Sequence, residues 1–123
     1  EHYNSGWTEQ AIQTRINNGT MVPVEILDEY KEYYRKVIRI TEKQNLSSLS
    51  NIEKRGVMGL SEDPHHVAHI VSIYDAFMND VPPEITGHIS NLQCLPAKVN
   101  ISKGNLSWLT VEQLYERYKQ WER

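Results

Sequence analysis

The sequence predicts an α+β fold in which two short strands are flanked by amphipathic helices. Apolar residues recur at helical spacing from Pro23 to about Thr41, and again after Thr110. Between these stretches, residues 66–73 form a nearly continuous run of strand-forming residues, and residues 92–95 form a second, shorter run. The 123 residues suffice for one domain with a buried core, so folding does not depend on disulfides.

Two helices are predicted in the first third of the chain. Thr8 is typical of an N-cap, with Trp7 packing back on a helix that ends near residues 17–19. Pro23 is favoured in the first turn of the second helix. Aromatic residues on this second helix could stack on bases, but aromatic residues at helical spacing usually belong to the core, which is the interpretation we favour. These residues are Tyr30, Tyr33 and Tyr34.

The middle of the chain contains more breaks than regular structure. Residues 44–64 are rich in Ser, Asn and Gly and predict loops, with one short helical turn at residues 49–54. After the first strand we expect a helical turn at residues 74–79. Pro82 and Pro83 should end that turn and impose an extended connection.

The C-terminal part predicts two further helices. A short helix is expected at residues 97–102, directly after the second strand. Thr110 and Gln113 have the spacing of a capping box that starts the final helix. The expected organisation is a helical N-terminal segment over residues 1–50, which braces a second unit over residues 51–123 that contains both strands and this final helix.

Composition excludes several classes of protein. Charged residues make up 24% of the chain and no apolar run is long enough to span a membrane, so we expect a globular domain. Cys94 is the only cysteine, which excludes an internal disulfide and a four-cysteine zinc site and favours a reducing compartment. Because the first residue is Glu1 rather than Met, we expect a fragment or a processed product.

Charge leaves nucleic-acid binding open. The net charge of -3 does not by itself predict DNA binding, which usually accompanies a basic excess. Basic residues are nevertheless dense in the first half of the chain and beside the candidate site, where interspersed acids favour a solvated helix face. The basic residues concerned are Lys31, Arg35, Lys36, Arg39, Lys43, Lys54, Arg55, Lys98 and Lys103.

Two stretches contain residue types suited to phosphodiester hydrolysis. This reaction needs an activated nucleophile and stabilisation of charge at phosphorus. His69, on the first predicted strand, can accept a proton from water near neutral pH. Asn100, on the predicted short helix, offers an oxygen ligand for a hard divalent cation. A carboxylate beside the histidine would complete a metal site, but position 68 is alanine.

The order and spacing of these residues resemble the HNH branch of the His-Me finger nucleases, also called ββα-metal nucleases. The resemblance is carried by His66-Val67-Ala68-His69-Ile70, then Asn91-Leu92, and then Asn100 with Lys103-Gly104. The chain is similar above all to phage-type members that have a His-x-Asp-His-Ile strand. The resemblance covers residues 51–105, and the ordered set is more specific than any single pair.

This resemblance implies a ββα-metal (HNH) motif flanked by amphipathic helices, with metal-dependent DNA endonuclease activity that leaves 5′-phosphate and 3′-hydroxyl ends. It implies that His69 is the general base and that Asn100 coordinates the metal. It also implies a catalytic role for Asn91, which pins the loop between the strands and helps to orient His69. Ala68 then occupies the position of the missing Asp ligand, which would inactivate the enzyme. DNA contacts are expected from Lys98, Lys103 and Arg55.

The cofactor implied by the resemblance is Mg²⁺ or another divalent cation, held weakly without an Asp at position 68. No structural zinc is expected, because Pro96 and Val99 stand where many relatives have cysteines. His65, His66 and His88 are irregularly spaced, so we expect no dedicated zinc site there either. The expected partner is DNA, with a homodimer also compatible. We expect no membrane association and a cytoplasmic, phage- or bacteria-encoded protein.

Two explanations of Ala68 remain open. We favour a laboratory substitution that prevents cleavage, because the rest of the motif is intact. The other is natural decay into a catalytically dead DNA-binding module. A third interpretation is a helical protein-interaction or inhibitor domain, which the mild acidity favours. Taken singly, His69 could be a structural histidine, and Asn91 and Asn100 could be turn or cap residues.

Overall fold

The computed structural model describes residues 22–56 and 63–121, so the predicted helix that begins after Thr8 lies outside the described residues. Two strands form one antiparallel sheet: β1 (His65–His69) and β2 (Leu92–Pro96). Within the same described residues there are five α-helices: α1 (Leu27–Lys43), α2 (Ile73–Met78), α3 (Pro83–Thr86), α4 (Ala97–Lys103) and α5 (Val111–Trp121). The α+β class is therefore confirmed. No helix within these two described ranges has both the length and the apolar character needed to cross a membrane.

The long helix α1 follows a 3-10 turn at Val24–Ile26, which closes with a hydrogen bond from the Ile26 N–H to the Pro23 carbonyl oxygen (3.1 Å). Proline suits this position because its missing N–H is not needed in a first helical turn. Acidic Asp28 and Glu29 lie in the first turn and Lys43 in the last, which complements the helix dipole. The predicted helix from Pro23 to about Thr41 is confirmed and extends two residues further.

The C-terminal end of α1 is fixed to the segment that precedes β2. Gln44, just after α1, donates through Nε2 to the Gly87 carbonyl oxygen (2.6 Å) and accepts through Oε1 from the Ile89 N–H (2.8 Å). A Cβ atom added to Gly87 would lie 2.9 Å from the Val37 carbonyl oxygen. Only glycine allows this approach without displacing the backbone of α1, so helix and segment are in close contact.

The sheet and α4 form a continuous strand–strand–helix unit. His65 pairs with Pro96 and His69 with Leu92, so the two strands match along their whole length. Helix α4 begins directly after β2 and packs against both strands. Both predicted strands exist, and the predicted short helix at residues 97–102 is confirmed with one more residue.

Two of the predicted boundaries are wrong. The predicted strand at residues 66–73 ends at His69, because the Ile70 N–H donates to the Asn91 carbonyl oxygen (2.8 Å) and Ser72 caps α2 by accepting from the Asp75 N–H (3.0 Å). The connection after Pro82 is helical rather than extended. Pro83 begins α3, because its fixed φ suits a first helical turn.

The hydrophobic core lies between α2, α3 and α5. Its buried centre is a cluster of four apolar residues: Val71, Ala76, Val81 and Leu114. Half-buried Tyr33 and several partly buried apolar residues pack against this cluster. The predicted capping box is confirmed, since the Gln113 N–H donates to Thr110 Oγ1 (3.1 Å) and the Thr110 N–H donates to Gln113 Oε1 (2.8 Å). This core holds α5 and the connection between the strands, and thereby the ends of β1 and β2.

Candidate functional site

A cleft of about 290 Å³ opens between α1, the end of β1 and the end of α4. Ala68 and His69 of β1 line it together with Asn100 and Lys103 of α4, and one wall is formed by two tyrosines of α1, Tyr30 and Tyr34. Four residues predicted as site residues from two separate stretches of sequence therefore meet in one cleft. Asn91, Lys98 and Arg55 do not line it.

His69 is half-buried at the end of β1 and joins the sheet to α1. Its Nε2 lies 3.0 Å from Oγ1 of Thr41, and no described residue hydrogen-bonds its Nδ1. Burial lowers the pKa of His69 to about 4; the Lys103 charge acts in the same direction and Glu42 opposes it. The imidazole is therefore neutral at pH 7 and has a lone pair with which it can accept a proton.

We expect His69 to make the fold sensitive to acid. Its pKa is about 4 in the folded chain, below the ordinary value of an exposed histidine. The unfolded chain therefore takes up a proton first as the pH falls, and stability is lost across that interval. Between pH 7.5 and pH 5 this residue should lower the free energy of unfolding by about 2 kcal/mol.

Urea unfolding of the chain and of His69→Gln at both pH values measures this difference. Between pH 7.5 and pH 5, the free energy of unfolding should fall by about 2 kcal/mol less in the variant than in the unsubstituted chain. Glutamine retains a side-chain donor for Thr41, so the comparison isolates the titration. An equal loss in both proteins would show that His69 does not stay neutral in the folded chain.

Position 68 faces the cleft but supplies no ligand. Ala68 is buried, with 4% of its surface exposed, and stands opposite Gln93 in the sheet. Half-buried Asn100 lies across from it on α4, with Nδ2 3.3 Å from His66 Nδ1. If Nδ2 donates in this contact, the amide oxygen of Asn100 is left to accept or to coordinate.

The residues present do not fit a resident divalent cation. None of the described residues that line the cleft has a carboxylate, and residues 22–56 and 63–121 contain no group of three or more His, Cys, Asp or Glu residues able to hold a metal ion. Asn100 alone offers a neutral oxygen, whereas Mg²⁺ in proteins is usually bound through at least one carboxylate.

Lys103 contributes a partly desolvated positive charge. Only 5% of its surface is exposed, and its Nζ donates to the Leu106 carbonyl oxygen (2.6 Å) at the end of α4. Burial lowers the pKa of Lys103, and the charge of Asp75 opposes that effect. Lys103 lines both this cleft and the neighbouring groove that contains Leu106 and Trp108, and a partly desolvated ammonium group attracts a phosphate more strongly than one fully in water.

Asn91 lies beneath the site and is fully buried. Its Oδ1 accepts from the Val71 N–H (2.8 Å), and its Nδ2 donates to the carbonyl oxygens of Val71 (3.1 Å) and Thr86 (2.9 Å). One side chain thus ties the residues that follow β1 to the end of α3. Asn91 is a buried cross-link of the connection between the strands.

The other two predicted DNA contacts lie outside the cleft. Lys98 is exposed on α4 and lines a neighbouring shallow groove with Lys103, Leu106 and Trp108. Arg55 forms a bidentate ion pair with Glu42, in which Nη1 and Oε1 are 3.1 Å apart. This pair raises the pKa of Arg55 and lowers that of Glu42. The guanidinium is therefore already engaged by a carboxylate.

Sequence reasoning missed two residues of the site. Thr41 contacts His69 across 28 positions, a proximity that no local pattern signals. Tyr34 is 45% exposed on the wall of the cleft, although its spacing suggested a core residue. The core interpretation suits Tyr33 better: its hydroxyl donates to the Val81 carbonyl oxygen (2.6 Å), and burial raises its pKa to about 12.

Comparison of the chain with protein-family models, with curated proteins and with solved structures finds no match in any of the three.

Proposed function

We propose that this chain is a DNA endonuclease domain of the ββα-metal type, which is inactive because Ala68 stands at the position of a metal-binding Asp. The observation that carries the proposal is the single cleft that unites Ala68 and His69 of β1 with Asn100 and Lys103 of α4. The neutral ring of His69 and the absence of any carboxylate among the described cleft residues fit a site with a base but without its metal ligand.

Each side chain of the cleft then has a role in phosphodiester hydrolysis. His69 accepts a proton from the attacking water, which its neutral state at pH 7 permits. Lys103 attracts the scissile phosphate, and Tyr34 offers an exposed ring on which a base can stack. A divalent cation, once a carboxylate at position 68 joined Asn100 in holding it, would neutralise charge at the phosphate. The chain as it stands should bind DNA without cutting it.

Ala68 is buried but lines the cleft, so a carboxylate introduced at position 68 would adjoin Asn100 and His69 there. The test is cleavage of supercoiled plasmid in Mg²⁺ or Mn²⁺ by this chain, by Ala68→Asp and by Ala68→Asn. Only the Asp variant should nick or linearise the plasmid, because only Asp adds a charged oxygen ligand. Calorimetric titration with Mn²⁺ should show a matching gain in metal affinity.

Failure of the Asp variant to cut, in a folded state that binds Mn²⁺, would contradict the nuclease proposal. In that case salt-sensitive DNA binding by the unsubstituted chain would favour the catalytically dead DNA-binding module, since neutralised phosphates release counterions. Absence of DNA binding at low salt would exclude both the nuclease and the catalytically dead DNA-binding module.

A second candidate function is protein interaction, and one observation favours it. Several large apolar side chains on α4 and after it are exposed, between 40% and 64% of their surface: Val99, Ile101, Leu106 and Trp108. Apolar side chains grouped in this way often belong to interfaces. Under this second function, the unsubstituted chain should not bind DNA at low salt, and substitution of Ile101 and Leu106 by serine should abolish binding of a protein partner.

A further inference from the structure

We propose that Thr41 is a positioning residue that fixes the tautomer of His69, so that Nδ1 is the atom which accepts a proton in the cleft. This inference rests on the proposed role of His69 as the base. Thr41 lies on α1, outside residues 51–105, which carry the resemblance to the HNH nucleases.

The geometry around the threonine hydroxyl sets the direction of both hydrogen bonds. Thr41 is 2% exposed, and its Oγ1 lies 2.8 Å from the Val37 carbonyl oxygen and 3.0 Å from His69 Nε2. A hydroxyl has one hydrogen, and a carbonyl oxygen can only accept. When the hydrogen points to Val37, Oγ1 can only accept from His69, so Nε2 must be protonated.

A neutral imidazole has one ring hydrogen, so protonation at Nε2 leaves Nδ1 with its lone pair. No described residue hydrogen-bonds Nδ1, and His69 lines the cleft. Among the residues that the structure describes, Nδ1 is thus the ring nitrogen left to accept from water or substrate in the cleft.

The opposite tautomer would sacrifice a hydrogen bond. With the hydrogen on Nδ1, the Thr41 hydroxyl would have to turn toward Nε2 and give up its bond to the Val37 carbonyl oxygen, the shorter of the two contacts. The observed geometry satisfies both groups only with Nε2–H.

The first test is a two-bond ¹H–¹⁵N correlation spectrum of the histidine rings at pH 7, recorded on the unsubstituted chain, Thr41→Ser and Thr41→Val. We expect Nε2–H in the unsubstituted chain and in Thr41→Ser, which keeps the hydroxyl. Thr41→Val removes the acceptor, so a substantial population of Nδ1–H should appear. A protonated Nδ1 in the unsubstituted chain, or an unchanged tautomer in folded Thr41→Val, would overturn the inference.

The second test measures cleavage in the Ala68→Asp background. Thr41→Val should lower kcat by about 10–100-fold with little change in KM, as expected when a residue that orients a catalytic group is lost. Thr41→Ser should retain most of the activity. If Ala68→Asp does not cut, the nuclease proposal fails, while the spectra still decide the tautomer. If it cuts and Thr41→Val cuts equally well, the inference about Thr41 fails alone.

Discussion

In the Ala68→Asp background, replacement of His69 by alanine is expected to lower the rate of DNA cleavage by about 10²–10⁴-fold, the usual contribution of a general base. His69 is the only described cleft residue with a neutral imidazole poised to accept a proton, because burial and the Lys103 charge lower its pKa to about 4. The initial rate of loss of supercoiled plasmid at saturating Mg²⁺ measures the effect.

The matched control for this prediction is His88→Gln, also in the Ala68→Asp background. His88 packs against Tyr118 of α5, outside the cleft, so its loss should leave the cleavage rate nearly unchanged. Added imidazole should restore part of the rate of the His69→Ala variant, because removal of the ring enlarges a cleft that already measures about 290 Å³. A His69→Ala rate within twofold of the parent would exclude His69 as the base.

Asn91→Ala is expected to lower the free energy of unfolding by about 3 kcal/mol or more. The substitution leaves the Val71 N–H and the carbonyl oxygens of Val71 and Thr86 without their side-chain partner in a fully buried site. Each unpaired buried group costs about 1–3 kcal/mol. Urea unfolding at pH 7.5, followed by circular dichroism, measures the change.

Gln93→Ala provides the control on the same strand region. Gln93 is half-buried two positions after Asn91, and its Nε2 is buried with no hydrogen-bond partner in the described part of the chain. Removal of an unpaired amide should be close to neutral, because no hydrogen bond is lost. Comparable losses in the two variants would mean that the hydrogen bonds of Asn91 contribute little beyond the volume of its side chain.

The parts of the fold that local patterns determine are predictable from sequence. Helix α1 follows from helical spacing after Pro23, and the start of α5 from the capping box of Thr110 and Gln113. The end of β1 is not predictable in this way, because Ile70 and Val71 have strand-forming side chains but donate through their N–H groups to Asn91, in the segment just before β2. A tertiary contact here overrides local propensity.

The candidate site divides in the same way. The ordered motif led to Ala68, His69, Asn100 and Lys103, which the structure brings to one cleft. Thr41 could not be found, because its contact with His69 depends on how α1 packs against the end of the sheet. Arg55 shows the converse: its charge suggested a phosphate contact, but the fold pairs it with Glu42.

The attachment of α1 limits how far this site can be transplanted. Gln44 fastens the helix to Gly87 and Ile89, just before Asn91, while Thr41 fastens it to His69. A graft that contained only the two strands and α4 would include His69 but would lack the Thr41 hydroxyl that orients it. The smallest fragment that could transfer the complete site to another protein therefore includes residues 27–44, which lie outside the residues that resemble the HNH nucleases.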